Sequence, residues 1–141
     1  MALVEGELGE KIFSLLTDSA IPGIEGRYQE AMDMLIGAWE LLPAPKENTD
    51  ESYLIVASIL GLALKNNDVD TLVRWGDKIM ITDPERIDVG SREMWVARIA
   101  YETGDLEKAF QNMKIAVKKS RGRCFTETDN KYKRFYTNYR H

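Results

Sequence analysis

The sequence predicts an all-α protein, built as a stack of about three helix pairs with a further helix at the C-terminus. Two observations support this prediction. Apolar residues recur at three- and four-residue spacing in several segments that short turns separate, and small residues recur at the inward positions of those segments. The chain of 141 residues suits a single domain with a sizeable core.

Residues 27–43, RYQEAMDMLIGAWELLP, show the pattern most clearly. The residues that share one helical face are Tyr28, Ala31, Leu35, Ala38, Trp39 and Leu42. Pro43 ends the run, because proline cannot continue a helix. Similar stretches occupy residues 67–84 and 104–117.

The three stretches align by their inward residues. Ala31 falls on Leu72 and on Ala109, at spacings of 41 and 37 residues, and Pro43 falls on Pro84. Small inward residues allow two helices to approach closely, which explains the alanines. The recurrence indicates a repeated structural unit.

An apolar segment with helical spacing precedes each stretch, at residues 9–21, 53–66 and 92–104. Each unit is therefore helix, short turn, helix. We expect the units to span residues 9–43, 52–84 and 90–120.

This pattern resembles the tetratricopeptide repeat, a helix pair of about 34 residues with small residues at fixed places and a closing proline. The residues that carry the resemblance are Gly26, Tyr28, Ala31, Leu35, Ala38 and Pro43; Val56, Leu60, Ala63, Leu72, Ile79 and Pro84; and Val96, Ala97, Ala100, Gly104, Leu106, Ala109 and Ala116. The resemblance covers residues 9–120 and implies a right-handed α-α superhelix. A plain antiparallel helix bundle is the alternative fold.

The sequence departs from the family pattern at two places. Leu72 and Ile79 replace the alanines expected in the second unit. Pro22 and Gly23 interrupt the first helix of the first unit, and the link after Pro43 is longer than the family needs.

The resemblance implies a concave groove lined by the first helix of each unit, in which a protein or peptide partner binds. The positions carried over from the family are Leu54, Ala57, Gly61, Leu64 and Lys65 in the second unit, and Ser91, Met94, Arg98, Tyr101 and Glu102 in the third. This groove is mostly apolar, with Lys65, Arg98, Tyr101 and Glu102 as polar groups. Arginine and tyrosine are frequent anchors of interfaces.

Other interpretations of these positions remain open. Leu54, Leu64 and Met94 are equally compatible with an ordinary core. Some family members clamp a carboxylate terminus with lysine and asparagine, but the corresponding positions here hold Ala57, Gly61, Met94 and Arg98. The sequence therefore does not support a co-chaperone role.

The C-terminal tail differs from the repeats. Residues 121–130 are typical of a turn region, and residues 131–140 return to helical spacing. The aromatic residues on one face of this helix are Tyr132, Phe135, Tyr136 and Tyr139. We expect residues 129–140 to form a capping helix over the last repeat. An aromatic and basic surface for nucleic acid is the alternative.

Charge is unevenly distributed along the chain. Residues 1–107 contain 9 basic and 21 acidic residues, a net charge of −12, whereas residues 108–141 contain 10 basic and 2 acidic residues, a net charge of +8. Such a field can steer a charged partner. The acidic majority of the chain argues against a nucleic-acid-binding protein.

The sequence offers little for catalysis, so we expect no enzymatic activity, metal or cofactor. The single histidine is the last residue, His141, and Cys124 has no second cysteine for a metal site. No phosphate-binding glycine motif occurs. The carboxylates of Asp50, Glu51 and Asp68 indicate helix starts rather than catalytic pairs.

The start of the chain lacks a basic region, and no apolar run approaches the roughly 18 residues that cross a membrane. We therefore expect a cytosolic protein.

Two classes of function fit. One is a small adaptor that holds a protein or peptide in the groove. The other is a stoichiometric inhibitor, such as the cytosolic immunity protein that bacteria encode beside a toxin, in which an acidic face covers a basic cleft. A secretion chaperone, which would be a dimer with a large apolar groove, is a weaker third possibility.

Overall fold

The computed structural model describes residues 3–139, and all regular elements within this range are helices. The α-helices are α1 (Gly6–Asp18), α2 (Ala20–Ile24), α3 (Tyr28–Leu41), α4 (Asp50–Lys65), α5 (Val69–Gly76), α6 (Ser91–Glu102), α7 (Leu106–Ser120) and α8 (Asn130–Asn138). Single turns of 3-10 helix lie at Lys46–Asn48 and Glu127–Asp129. The prediction of an all-α fold is confirmed.

The chain divides after Arg86 into an N-terminal unit and a C-terminal unit. The predicted repeats 9–43 and 52–84 fall in the N-terminal unit, and the third repeat and the C-terminal helix fall in the other. The superhelix of three stacked pairs stays a prediction.

Sequential packing builds the N-terminal unit. Helix α1 packs on α3, α3 on α4, and α4 on α5. The largest fully buried side chains of this unit are Ile12, Met32, Leu35, Ile55, Ile59, Leu60, Leu72 and Ile79. Ala31 and Ala38 are also fully buried, so the inward positions predicted for these two alanines are confirmed, whereas Tyr28 and Trp39 of the same predicted face are half-buried.

The C-terminal unit is the pair α6 and α7 with α8 lying against it. Ala97, Ala109 and Ala116 are fully buried, which lets the two long helices pack closely. The turn before α6 passes so close to α7 that a Cβ on Gly90 would lie 2.8 Å from the carbonyl oxygen of Ala116. Glycine is required there, since its φ is also +91°.

Aspartates begin two of the second helices. Asp68 accepts a hydrogen bond from the backbone N–H of Thr71, and Asp105 accepts one from the backbone N–H of Lys108. These contacts satisfy amides that have no partner within the helix. The prediction that Asp68 marks a helix start is confirmed.

The second helix of the second repeat is shorter than residues 67–84 predicted. Helix α5 ends at Gly76, and the following amides of Lys78 and Ile79 bond to carbonyls only three residues back. Glycine disfavours helix because it loses the most backbone entropy. Ile79 still reaches the core, through a turn rather than through a continued helix.

The first helix of the first repeat is divided in two. Helix α1 ends at Asp18, and α2 begins at Ala20 with Pro22 in its first turn. Proline is tolerated there because a first-turn amide needs no partner within the helix. None of the helices within residues 3–139 is both long and apolar enough to cross a bilayer.

Candidate binding surfaces

An open groove of about 780 Å³ lies on the N-terminal unit, between α4 and the start of the chain with α1. These are the first helices of the first two predicted repeats, the elements from which the family resemblance would build a groove. Phe13 and Leu16 line it from α1, and Leu54 and Ser58 line it from α4.

Large apolar side chains of this groove are exposed. Phe13 is 66% exposed and Leu54 45% exposed, and Leu3 at the same groove is also largely open to solvent. An exposed apolar side chain that stands alone is ordinary, but several around one concavity are typical of an interaction site.

The wall formed by the start of the chain is held by a buried carboxylate. The backbone N–H of Val4 donates to the Glu51 carboxylate, with nitrogen–oxygen distances of 3.0 and 3.4 Å. Gly9 permits this close course, since a Cβ at that position would lie 2.2 Å from the carbonyl oxygen of Val4. These contacts attach the start of the chain to α1 and α4.

The groove has an acidic margin. Glu5, Glu10 and Glu51 are among its lining residues, and no lysine or arginine is. Residues 1–86 as a whole contain 16 acidic and 7 basic residues, a net charge of −9. The groove therefore lies in a negative field.

Only one of the five site residues predicted in the second repeat lines this groove. Leu54 lines the groove, whereas Ala57, Gly61, Leu64 and Lys65 do not. Gly61 faces open space, because a Cβ there would meet nothing within 4 Å. Leu54 is exposed and Leu64 is half-buried, so neither is a fully buried core residue.

Ser91, Met94 and Arg98 of the third repeat line a second cleft, of about 600 Å³, on the C-terminal unit. Its walls are the first half of α6, the end of α7 and the turn that contains Arg123 and Cys124. Met94 is only 1% exposed, so it forms the floor of the cleft and belongs to the core.

The polar end of α6 is already engaged by the C-terminal segment. The Nε and Nη2 atoms of Arg98 donate to the two carboxylate oxygens of Asp129, at 3.0 and 2.8 Å. The Arg98 guanidinium also lies over the ring of Trp95, 4.5 Å from its centroid. Arg98 is therefore fixed in place within its own unit.

Asp129 is ionised in spite of its burial. Burial alone would raise the pKa of its carboxyl group, but hydrogen bonds from Arg98, from the backbone N–H of Thr126 and from the Thr126 hydroxyl outweigh that effect and lower the pKa. The ion pair therefore joins the turn that precedes α8 to helix α6.

Helix α8 covers the remaining predicted residues of α6. The Tyr101 ring packs edge-on against Tyr132 and Phe135, with centroid distances of 5.3 and 5.2 Å. Glu102 accepts a hydrogen bond of 2.8 Å from the Tyr132 hydroxyl and pairs with Lys131. Tyr101 and Glu102 are half-buried, so only part of each side chain is open to solvent, and partner binding through them stays a prediction.

The aromatic stripe of the tail packs on its own unit. Beyond the contacts with Tyr101, Phe110 of α7 stacks against Tyr136 and Tyr139, with centroid distances of 5.3 and 4.9 Å. These contacts occupy ring surface on which nucleic-acid bases would otherwise stack. Residue 140, the end of the predicted capping helix, lies outside the described residues.

The described residues provide few candidates for a metal site or a catalytic nucleophile. Within residues 3–139 no group of three histidine, cysteine, aspartate or glutamate side chains converges on one point. Cys124 is a half-buried free thiol in the second cleft, and His141 lies outside the described residues. The expectations that the protein holds no metal or cofactor and is not an enzyme stay predictions.

Comparison with known proteins gives no match to a family model, to a curated protein or to a solved structure. The tetratricopeptide resemblance therefore stays a prediction drawn from the residue pattern.

The sequence did not reveal Phe13 and Leu16 as groove residues. The Pro22 interruption discouraged any assignment in the first repeat, although α1 keeps helical geometry up to Asp18. The signal was present in their three-residue spacing, which places both side chains on one helix face.

Proposed function

We propose that the protein is a non-enzymatic interaction module that binds a protein or peptide partner through the groove between α1 and α4. The observation that supports this proposal is the exposure of Phe13 and Leu54 on facing walls of one concavity. A volume of about 780 Å³ is enough for several partner side chains.

Burial of apolar surface would provide the affinity. Phe13, Leu3 and Leu54 offer exposed apolar surface to a partner. Complete burial of an exposed side chain of this size is worth about 1.5–3 kcal/mol, and each of these partly covered side chains would contribute less than that. The wall attached at Val4 limits the rearrangement on binding, and preorganisation preserves more of that energy as affinity.

Site-specific photocrosslinking tests the proposal. A benzophenone amino acid replaces Phe13 in one variant and Ile24 in a matched control; Ile24 lies in α2, outside the groove, and is 86% exposed. Irradiation in the cells of origin should yield a defined protein adduct only from position 13.

Affinity measurement with the purified adduct partner completes the test. Phe13→Ala should weaken binding at least about tenfold, as truncation of an interface anchor does, while Ile24→Ala should change it less than about twofold. Equal effects of the two substitutions, or adducts only from position 24, would refute the groove.

An immunity protein is the second candidate. The net charge of −9 on residues 1–86 favours it, because an acidic surface associates rapidly with the basic cleft of a nuclease toxin. A single partner whose binding weakens steeply with salt would select this function. Several partners that share a short segment would select the adaptor.

A further inference from the structure

We propose that the occupant of the groove between α1 and α4 is a basic amphipathic helix supplied by another protein. This inference rests on the proposed function and specifies the chemistry of the partner. Its two components, the helical form and the positive charge, follow from separate observations.

The helical form follows from the groove walls. Apart from the non-helical residues 3–5, the described walls are helical, so their backbone groups are largely bonded within α1 and α4. An extended segment would bring unpaired backbone groups against Phe13 and Leu54. A helix satisfies its own backbone and presents an apolar stripe, which is the mode of recognition such a groove permits.

The course of the groove also fits a helix. The starts of α1 and α4 meet at the groove and later residues of both line it, which places the two helices in the same direction along it. The Val4–Glu51 hydrogen bond joins their starts, and Leu16 and Ser58 line the groove farther along. A third helix can lie along this channel with its apolar stripe on Phe13 and Leu54.

The positive charge follows from the groove margin. Glu5, Glu10 and Glu51 all lie toward the starts of α1 and α4, whereas Thr17 and Ser58 line the neutral far end. Within the described residues, no lysine or arginine forms an ion pair with these three carboxylates. Lysine or arginine on the partner could pair with the exposed Glu5 and Glu10.

Stabilisation of the helices accounts for the position of some of these three glutamates but not of all. Glu51 lies in the first turn of α4 and holds Val4, so it supports the fold of its own unit. Glu10 lies beyond the first turn of α1, where the helix dipole gives a carboxylate little benefit. Glu10 is therefore the position that distinguishes partner recognition from fold stability.

Two synthetic helical peptides test the inference on the intact chain. Both carry leucines at positions i, i+3, i+4 and i+7; one carries lysine and the other glutamate at the remaining positions. Fluorescence anisotropy measures their dissociation constants at 50 and 300 mM salt. The lysine peptide should bind at least about tenfold more tightly at 50 mM, and salt should reduce the difference.

Matched variants locate the binding. Glu10→Gln should weaken the lysine peptide about threefold, whereas Glu40→Gln on α3, which changes the net charge equally and lies outside the groove, should not. Phe13→Ala should weaken both peptides.

Each contrary outcome has a defined meaning. Equal affinities, or tighter binding of the glutamate peptide, would refute the positive charge and leave the groove standing. If Phe13→Ala leaves the dissociation constants of both peptides unchanged, binding in the groove between α1 and α4 is refuted. Failure of both peptides to bind at 100 μM would refute the helical form of the partner. The crosslinking experiment from position 13 would then still decide the proposed function by itself.

Discussion

The Arg98–Asp129 ion pair should control the attachment of α8 to its unit. Its side chains are 11% and 3% exposed, and two hydrogen bonds join them. Asp129→Asn keeps the shape of the side chain but leaves the guanidinium of Arg98 without its counter-charge. Loss of one partner of a buried pair costs about 3–5 kcal/mol, and the slight exposure of Arg98 places the expected cost near 3 kcal/mol.

Hydrogen exchange followed by mass spectrometry is the appropriate assay, because a chain with two units need not unfold in one step. A loss of about 3 kcal/mol corresponds to roughly 100-fold faster exchange of the α8 amides if they exchange through local opening. The amides of α3, in the other unit, should not change.

A double-mutant cycle isolates the pair itself. Arg98→Met combined with Asp129→Asn should cost less than the sum of the single changes, by about 1–3 kcal/mol, because the double variant leaves no unpaired charge. Arg27→Ala is the control, since that residue pairs with Glu25 and Glu30 on the open surface and should have no measurable effect. Additive effects of the Arg98 and Asp129 substitutions would refute the reasoning.

The same pair predicts a pH dependence. The pKa of Asp129 is lowered in the folded state. The ionised carboxylate therefore contributes its full stabilisation to the free energy of unfolding above the unfolded pKa of about 3.9, and this stabilisation is lost as the pH falls through the lower folded pKa. The difference in unfolding free energy between wild type and Asp129→Asn should therefore shrink below about pH 4. A constant difference down to pH 2 would contradict this assignment.

Three further substitutions in the C-terminal unit have expected magnitudes. Gly90→Ala should destabilise the unit by about 2–4 kcal/mol in urea unfolding, since it combines left-handed strain with a clash against the backbone of Ala116. Gly104→Ala is the matched control, since Gly104 has a φ of +89° but open space around it. This control should cost only the backbone strain, about 1 kcal/mol. Tyr132→Phe should cost about 1 kcal/mol, since it removes the hydrogen bond to Glu102, which stays paired with Lys131.

The residue pattern was sufficient to predict the helices, because helical periodicity is a local property. Ala31, Ala38, Ala109 and Ala116 were assigned inward positions from spacing alone, and all four are fully buried. The early end of α5 was missed, because a single glycine at position 76 is weak evidence against a helix that apolar spacing supports on both sides.

The candidate site could be predicted only in part, because it depends on which helix covers which face. Leu54 is exposed and lines the open groove of the N-terminal unit, whereas its role in partner binding stays a prediction. Spacing could not show that the faces of Arg98 and Tyr101 are covered by a later segment of the same chain. The aromatic stripe at Tyr132 and Phe135 indicated that the tail packs on something, but periodicity does not identify its partner.

The exposure of the two surfaces is the reason that we propose the groove on the N-terminal unit as the binding surface. On the C-terminal unit, Tyr101 is half-buried, and full access to its ring would require loss of the contacts with Tyr132 and Phe135 of α8. That cost would be subtracted from any binding energy. Between α1 and α4 no described helix covers Phe13 and Leu54, and their exposure is already present in the free chain. A partner that meets both units therefore gains more from the open groove, and truncation of α8 should not increase its affinity there.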